Sequence, residues 1–198
     1  MIVTHQHVGT CQNSNKDFYF CKVNQFDDDT LERLRQNLSY AIQARQSYFP
    51  VLISSMGGSV YHMLGMIDMI KQSPLKVCTV IEGMAISCGA FLATMGHKGC
   101  RYVNSNATMM YHVIRGGSHG LGPFLKTQGD HYEQLNDKIF NLMETNSLVP
   151  DGSFRNAVRT VEGGDLYVTP ERAVQMGLMD YVGVPSFTVR TTTEVILS

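Results

Sequence analysis

Short apolar runs alternate with stretches whose apolar residues recur every three or four positions. Phe18 to Val23 is rich in aromatic residues and predicts a strand. Val51-Leu52-Ile53 predicts a second, covered on both faces, and Val77 to Ile81 a third. Between the first two, Leu31, Leu34, Leu38 and Ile42 keep helical spacing to about Arg45. Asp27-Asp28-Asp29, with Glu32 three residues on, marks the start of that helix: a capping acid, and acids over the positive end of the helix dipole. Pro50 closes the connection before Val51. Ser54 to Ser59 predicts a turn, and Val60, Met63, Leu64, Ile67 and Ile70 the buried face of a second helix, stopped at Ser73-Pro74.

Val77 to Ile81 leads through a tight turn into a short buried helix closed near Gly96. Arg101 to Val103 and Ala107 to Tyr111 predict two short strands around an Asn-Ser-Asn turn. A glycine-rich stretch then precedes a long helix with Tyr132, Leu135, Ile139, Leu142 and Met143 on one face, a stripe suited to packing on another subunit. Phe154 to Val161 predicts a short helix, and Thr169-Pro170 starts a last one that Gly177 closes. Strand, helix, strand, helix, strand is the order of an α/β fold with right-handed crossovers and a mainly parallel sheet.

Composition narrows the function classes. A chain of 198 residues makes one well-buried domain. A formal net charge of −1 with scattered Lys and Arg gives no basic stripe for nucleic acid or an acidic membrane surface. No apolar run approaches the roughly 20 residues of a membrane helix, and Met1 to Lys16 lacks the pattern of a secretory signal. Five cysteines without a CxxC pair fit a reduced, cytoplasmic compartment. Seven histidines show no metal-ligand spacing, so neither a metal nor another cofactor is expected.

The candidate chemistry centres on Glu82 to Ala90, where Ser87 stands between small residues after an apolar run and before another. A serine there is either the N-cap of a buried helix or a nucleophile presented at the end of a sheet. The segment alone favours the cap. His112, 25 positions later at the end of an apolar strand, reverses that preference, because an imidazole that accepts the serine proton makes the hydroxyl nucleophilic. Cys88 follows the elbow rather than occupying it, which argues against a thiol nucleophile.

Gly83-x-Ala85-x-Ser87-x-Gly89-Ala90 resembles the nucleophile segment of the ClpP family of serine peptidases, and Met-Met-Tyr-His112 its histidine segment. Ser55-x-Gly57-Gly58-Ser59-Val60 resembles its oxyanion segment, and Gly116-Gly117 falls at its glycine-rich substrate-binding strand. Asp165, followed by Thr169-Pro170-Glu171 and Gly177-Leu178-Met179-Asp180, resembles the segment of the triad acid. The likeness runs from about Phe18 to Val182. It implies a ClpP/crotonase-like fold over residues 1–198, with an N-terminal arm (1–16), a protruding handle helix (about 121–146) and a C-terminal tail (187–198). It also implies a Ser87-His112-Asp165 triad, with Glu162 and Asp180 as neighbouring acids, an oxyanion hole from the Gly58 and Cys88 backbone N–H groups, and substrate contacts at Gly57, Gly116 and Gly117. The partners implied are a polypeptide substrate, further copies in rings that are heptameric and stacked in the family, and a separate AAA+ unfoldase.

The sequence also departs from that pattern. Ser54 and Met56 replace an asparagine and a proline, Val113-Ile114 replaces Gln-Pro, and Gly163-Gly164 replaces charged residues that serve ring-to-ring contacts in the family. A virus prohead-type peptidase, a catalytically silent ring subunit and a crotonase-like acyl-CoA enzyme therefore stand as alternatives.

Overall fold

A computed structural model describes residues 18–117 and 119–187. The N-terminal arm and all of the tail beyond Phe187 lie outside the described residues. The chain forms one seven-stranded sheet with helices packed on it. In order, the elements are β1 (Cys21–Val23), α1 (Asp28–Gln43), β2 (Tyr48–Ser55), α2 (Val60–Gln72), β3 (Lys76–Ile86), α3 (Cys88–Thr94), β4 (Arg101–Val103) and β5 (Thr108–Tyr111). Then follow α4 (Gly122–Asn146), α5 (Ser153–Thr160), β6 (Leu166–Val168), α6 (Pro170–Gln175) and β7 (Tyr181–Val182). Every pairing is parallel except β5 with β6, as expected of strands joined through helical crossovers. This is the mixed α/β fold with a mainly parallel sheet and a long helix read from the sequence.

Strand β3 organises the sheet. Its first half pairs with β2 and β4, and its last residues, Met84 to Ile86, pair with β5. The sequence places a turn after Ile81, but the strand continues through Glu82 and Gly83 to Ile86. Gly83 takes φ +79 with open space around its Cα, so the strand kinks there and goes on to a new partner. The chain thereby delivers Ser87 beyond the sheet rather than at its middle.

Three local expectations shift. The N-cap of α1 is Asp27, whose Oδ1 accepts the Thr30 N–H at 2.8 Å. Its buried face is Thr30, Leu34, Leu38 and Ala41, while Ile42 is exposed and Leu31 turns toward Gly65 of α2. Strand β2 starts at Tyr48, runs through Pro50 and ends at Ser55, so the predicted turn begins only at Met56. Pro50 is tolerated because β1 pairs from Val51 onward, and the missing N–H faces no strand on that side.

The core lies between the sheet and α1 to α3, with Phe49, Ile53, Met63, Met66 and Ile67 fully covered. Every residue of α3 is buried. Helix α4 is the long helix expected from the sequence: residues 121–127 are exposed and burial begins in earnest at Asn136. Among the described residues, no helix is long and apolar enough to cross a membrane, and no group of three or more His, Cys, Asp or Glu is placed to hold a metal.

Candidate active site

Three loops leave the C-terminal ends of the parallel strands β2, β3 and β5, the end of an open α/β sheet at which ligands usually bind. They carry Gly57-Gly58, Ser87 and His112 respectively. Ser87 has φ +55 and ψ −125, a conformation that side chains rarely adopt. It is held there by its N–H donating to the Met110 carbonyl at 2.8 Å and its carbonyl accepting from Ala90 and Phe91 at 2.9 and 3.2 Å. Its side chain makes no capping hydrogen bond to α3. The hydroxyl at the elbow is therefore not spent on the helix.

Gly57 lies against this serine. With φ +104, its backbone comes so close that an added Cβ would sit 2.8 Å from Ser87 Cβ and 3.2 Å from Ser87 Oγ. The Gly57 N–H donates to Ser55 Oγ at 3.1 Å, fixing the turn from below. Gly58 bridges to Phe26, and its carbonyl accepts from the Cys88 thiol at 3.3 Å. Burial pushes that thiol up, against the opposing pull of the Gly58 and Cys88 backbone N–H groups and the Ser87 hydroxyl. Cys88 thus stays a neutral thiol beside Ser87. Gly57→Ala is expected to lower the rate of Ser87 acylation by about tenfold or more, through a strained φ and a direct clash. Labelling by a fluorophosphonate, followed by mass spectrometry, checks this.

His112 follows directly on β5, behind Tyr111. The Tyr111 ring is fully buried, edge-on to Phe91 and Phe154 with centroids at 5.2 and 5.0 Å, and its hydroxyl meets Thr94 Oγ1 at 3.0 Å. This anchor fixes where the histidine leaves the sheet. His112 Nδ1 lies 2.5 Å from the Val113 carbonyl, which can only accept, so Nδ1 carries the proton and Nε2 keeps its lone pair. That is the tautomer of a general base.

Ser87 and His112 line one cavity of about 150 Å³ with Gly58, Cys88, Phe91 and Phe140. Among the described residues, no hydrogen bond joins the two side chains. The register of β5 and β6 pairs Tyr111 with Leu166, so His112 and Asp165 occupy the next opposed position. Residues so opposed have Cβ atoms about 5 Å apart. The Asp165 carboxylate nevertheless pairs with Arg115, not with His112. Of the other acids, Asp180 is bound bidentately by Arg101 at 3.0 and 2.6 Å, and Glu162 is exposed.

Residues 112–117 form no strand in the single chain, so Gly116 and Gly117 sit on an unpaired stretch. Gly116 lies against Tyr132 of α4, where an added Cβ would be 2.8 Å from the hydroxyl, and Gly117 is open. Two residues not singled out by the sequence belong to the site. Asn136, buried on α4, accepts the Ile114 N–H through Oδ1 at 2.8 Å and lines the cavity, tying the segment after His112 to the handle. Its signal was a polar residue at helical spacing between Tyr132 and Phe140. Arg115 lines the same cavity.

A strained serine at a strand end, a histidine lining the same cavity, and a glycine turn packed on the serine come together at this end of the sheet. The sequence model described as Clp protease matches residues 2–186. The chain belongs to the Clp protease family. It is 30% identical over 159 residues to ATP-dependent Clp protease proteolytic subunit 1 of Prochlorococcus marinus subsp. pastoris, covering 80% of this chain and 79% of that protein.

Proposed function

We propose that the protein is a serine endopeptidase that cleaves unfolded polypeptides or peptides inside a ring-shaped oligomer. Ser87 is the nucleophile, His112 its general base, and Asp165 the acid that orients the imidazole. The observation that carries this reading is Ser87 itself, held at φ +55 at the end of β3 and opening into the cavity that His112 shares.

Ser87 Oγ attacks the scissile carbonyl carbon as its proton passes to His112 Nε2. The oxyanion is received by the backbone N–H groups of Gly58 and Cys88, a contribution typically worth about 10²–10³ in rate per donor. The tetrahedral adduct then expels the amine, which takes the proton from Nε2. Water attacks the remaining acyl ester, His112 accepts its proton, and return of that proton to Ser87 Oγ frees the acid product. Gly116 and Gly117, without side chains, offer an edge on which an extended substrate adds as a strand. The exposed start of α4 serves contacts between copies. An AAA+ unfoldase would act as a separate partner, and the setting is a reduced cytoplasm.

Hydrolysis of a quenched fluorescent peptide, followed across fractions whose mass is set by light scattering, tests the proposal. Activity should travel with a ring-sized species. A ring that forms but leaves the peptide intact would instead favour the silent-subunit reading, which the diversion of Asp165 to Arg115 supports.

A further inference from the structure

Among the described residues, the cavity beside Ser87 is lined by apolar or neutral groups except for His112 and Arg115, and no carboxylate lines it. Arg115 is thus the one permanent charge among its described lining residues. The arginine stands three residues beyond His112 on the unpaired stretch after β5, with 53% of its side chain exposed. Its guanidinium pairs with Asp165 and also reaches the Gly164 carbonyl at 3.5 Å. The same Asp165 lies opposite His112 in the continued β5–β6 register. His112 meanwhile satisfies Nδ1 on the adjacent Val113 carbonyl. The His112 imidazole and the Arg115 guanidinium, three residues apart, therefore compete for one carboxylate, and the arginine holds it.

Such a pair exchanges easily. Both members are in contact with water, at 53% and 31% side-chain exposure, and exposed ion pairs hold weakly. A carboxylate brought in by substrate would meet the same planar fork, which suits carboxylates, in a cleft that Phe91, Ile139 and Phe140 also line. A charge-assisted bidentate pair of this kind is stronger than a neutral hydrogen bond. The exchange conserves charge, with one carboxylate arriving and the other leaving.

We propose that Arg115 is a specificity-determining and positioning residue: it recognises a substrate carboxylate and, in taking it, releases Asp165 to His112. This rests on the peptidase reading above. The enzyme then prefers peptides that are acidic near the cut, and an empty cleft keeps the triad open.

The test uses the assembled full-length protein, Arg115→Gln, and the double variant Arg115→Gln/Asp165→Asn. Matched peptides carrying Glu or Gln beside the scissile bond, each with a free or amidated C-terminus, distinguish an acidic side chain from a terminal carboxylate. The native protein should favour the carboxylate-bearing peptide by about tenfold in kcat/KM. Arg115→Gln should lose that preference, and an uncharged fluorophosphonate should label its Ser87 several times faster, because Asp165 is free to orient His112. The double variant should label slowly again. A merely structural arginine predicts the reverse, slower labelling in Arg115→Gln with the preference kept, and that result overturns the proposal. Unchanged labelling and unchanged preference in an active enzyme also overturn it, leaving the peptidase reading intact. Absence of Ser87 labelling in every variant removes both.

Discussion

Ser87→Ala and His112→Ala are each expected to lower peptide hydrolysis by about 10⁴-fold or more, and the double variant hardly further. The near-equality follows from the chemistry: without the imidazole the hydroxyl keeps its proton, and without the hydroxyl the imidazole has nothing to activate. Neither change should alter the fold. Alanine at position 87 keeps the same backbone bonds to Met110, Ala90 and Phe91, and the Ser87 hydroxyl caps nothing. Among the described residues, the His112 side chain hydrogen-bonds only its chain neighbour. Asp165→Asn should cost less than either, because the acid acts only through the imidazole it orients, whereas Ser87 and His112 take part in the bond changes themselves. Initial rates on a quenched peptide, with urea midpoints in parallel, check the set.

The second large effect lies away from the cleft. Asp180→Ala is expected to lower stability by about 3–5 kcal/mol, the usual result of removing one partner of a buried ion pair. The Arg101 side chain is only 4% exposed. Besides Asp180, it donates to the carbonyls of Asn146 and Thr94, at 2.7 and 3.4 Å. It therefore joins β4, the end of α4, the end of α3 and the approach to β7. Burial acts to raise the Asp180 carboxyl, but the hydrogen bonds and charge of Arg101 outweigh it and hold the group below its ordinary value of 3.8. A lowered folded-state value means that the pair's stabilisation is fully present above 3.8 and is lost as pH falls below that value through the lowered one. Urea midpoints measured down an acid series should fall through this window in the native protein. In Asp180→Ala that component of the fall should be missing.

These two groups also show what sequence conveys and what it withholds. The α/β order was legible because its strands and helices have different apolar periods, and parallel pairing follows from the crossovers. Ser87, His112 and the Gly57-Gly58 turn were legible because each follows a strand in that order. The length of β3 was not: Glu82 and Gly83 look like a turn, and pairing with β5, together with Ser55 of β2 opposite Ala85, keeps Met84 to Ile86 extended. The buried face of α1 was misjudged at Ile42, because Ala41 is the residue that the packing admits. Asn136 and Arg115 act through partners 22 and 50 positions away, which no local pattern encodes. The pairing of Asp165 is a choice between a nearby histidine and a nearby arginine, decided by side-chain geometry rather than by residue type.

The most direct test of the central claim is covalent. A biotinylated fluorophosphonate incubated with the folded, assembled protein should modify one residue, Ser87, as located by tandem mass spectrometry, and should leave Ser87→Ala unmodified. Labelling absent from the assembled protein, or placed on another residue and retained in Ser87→Ala, would contradict the account.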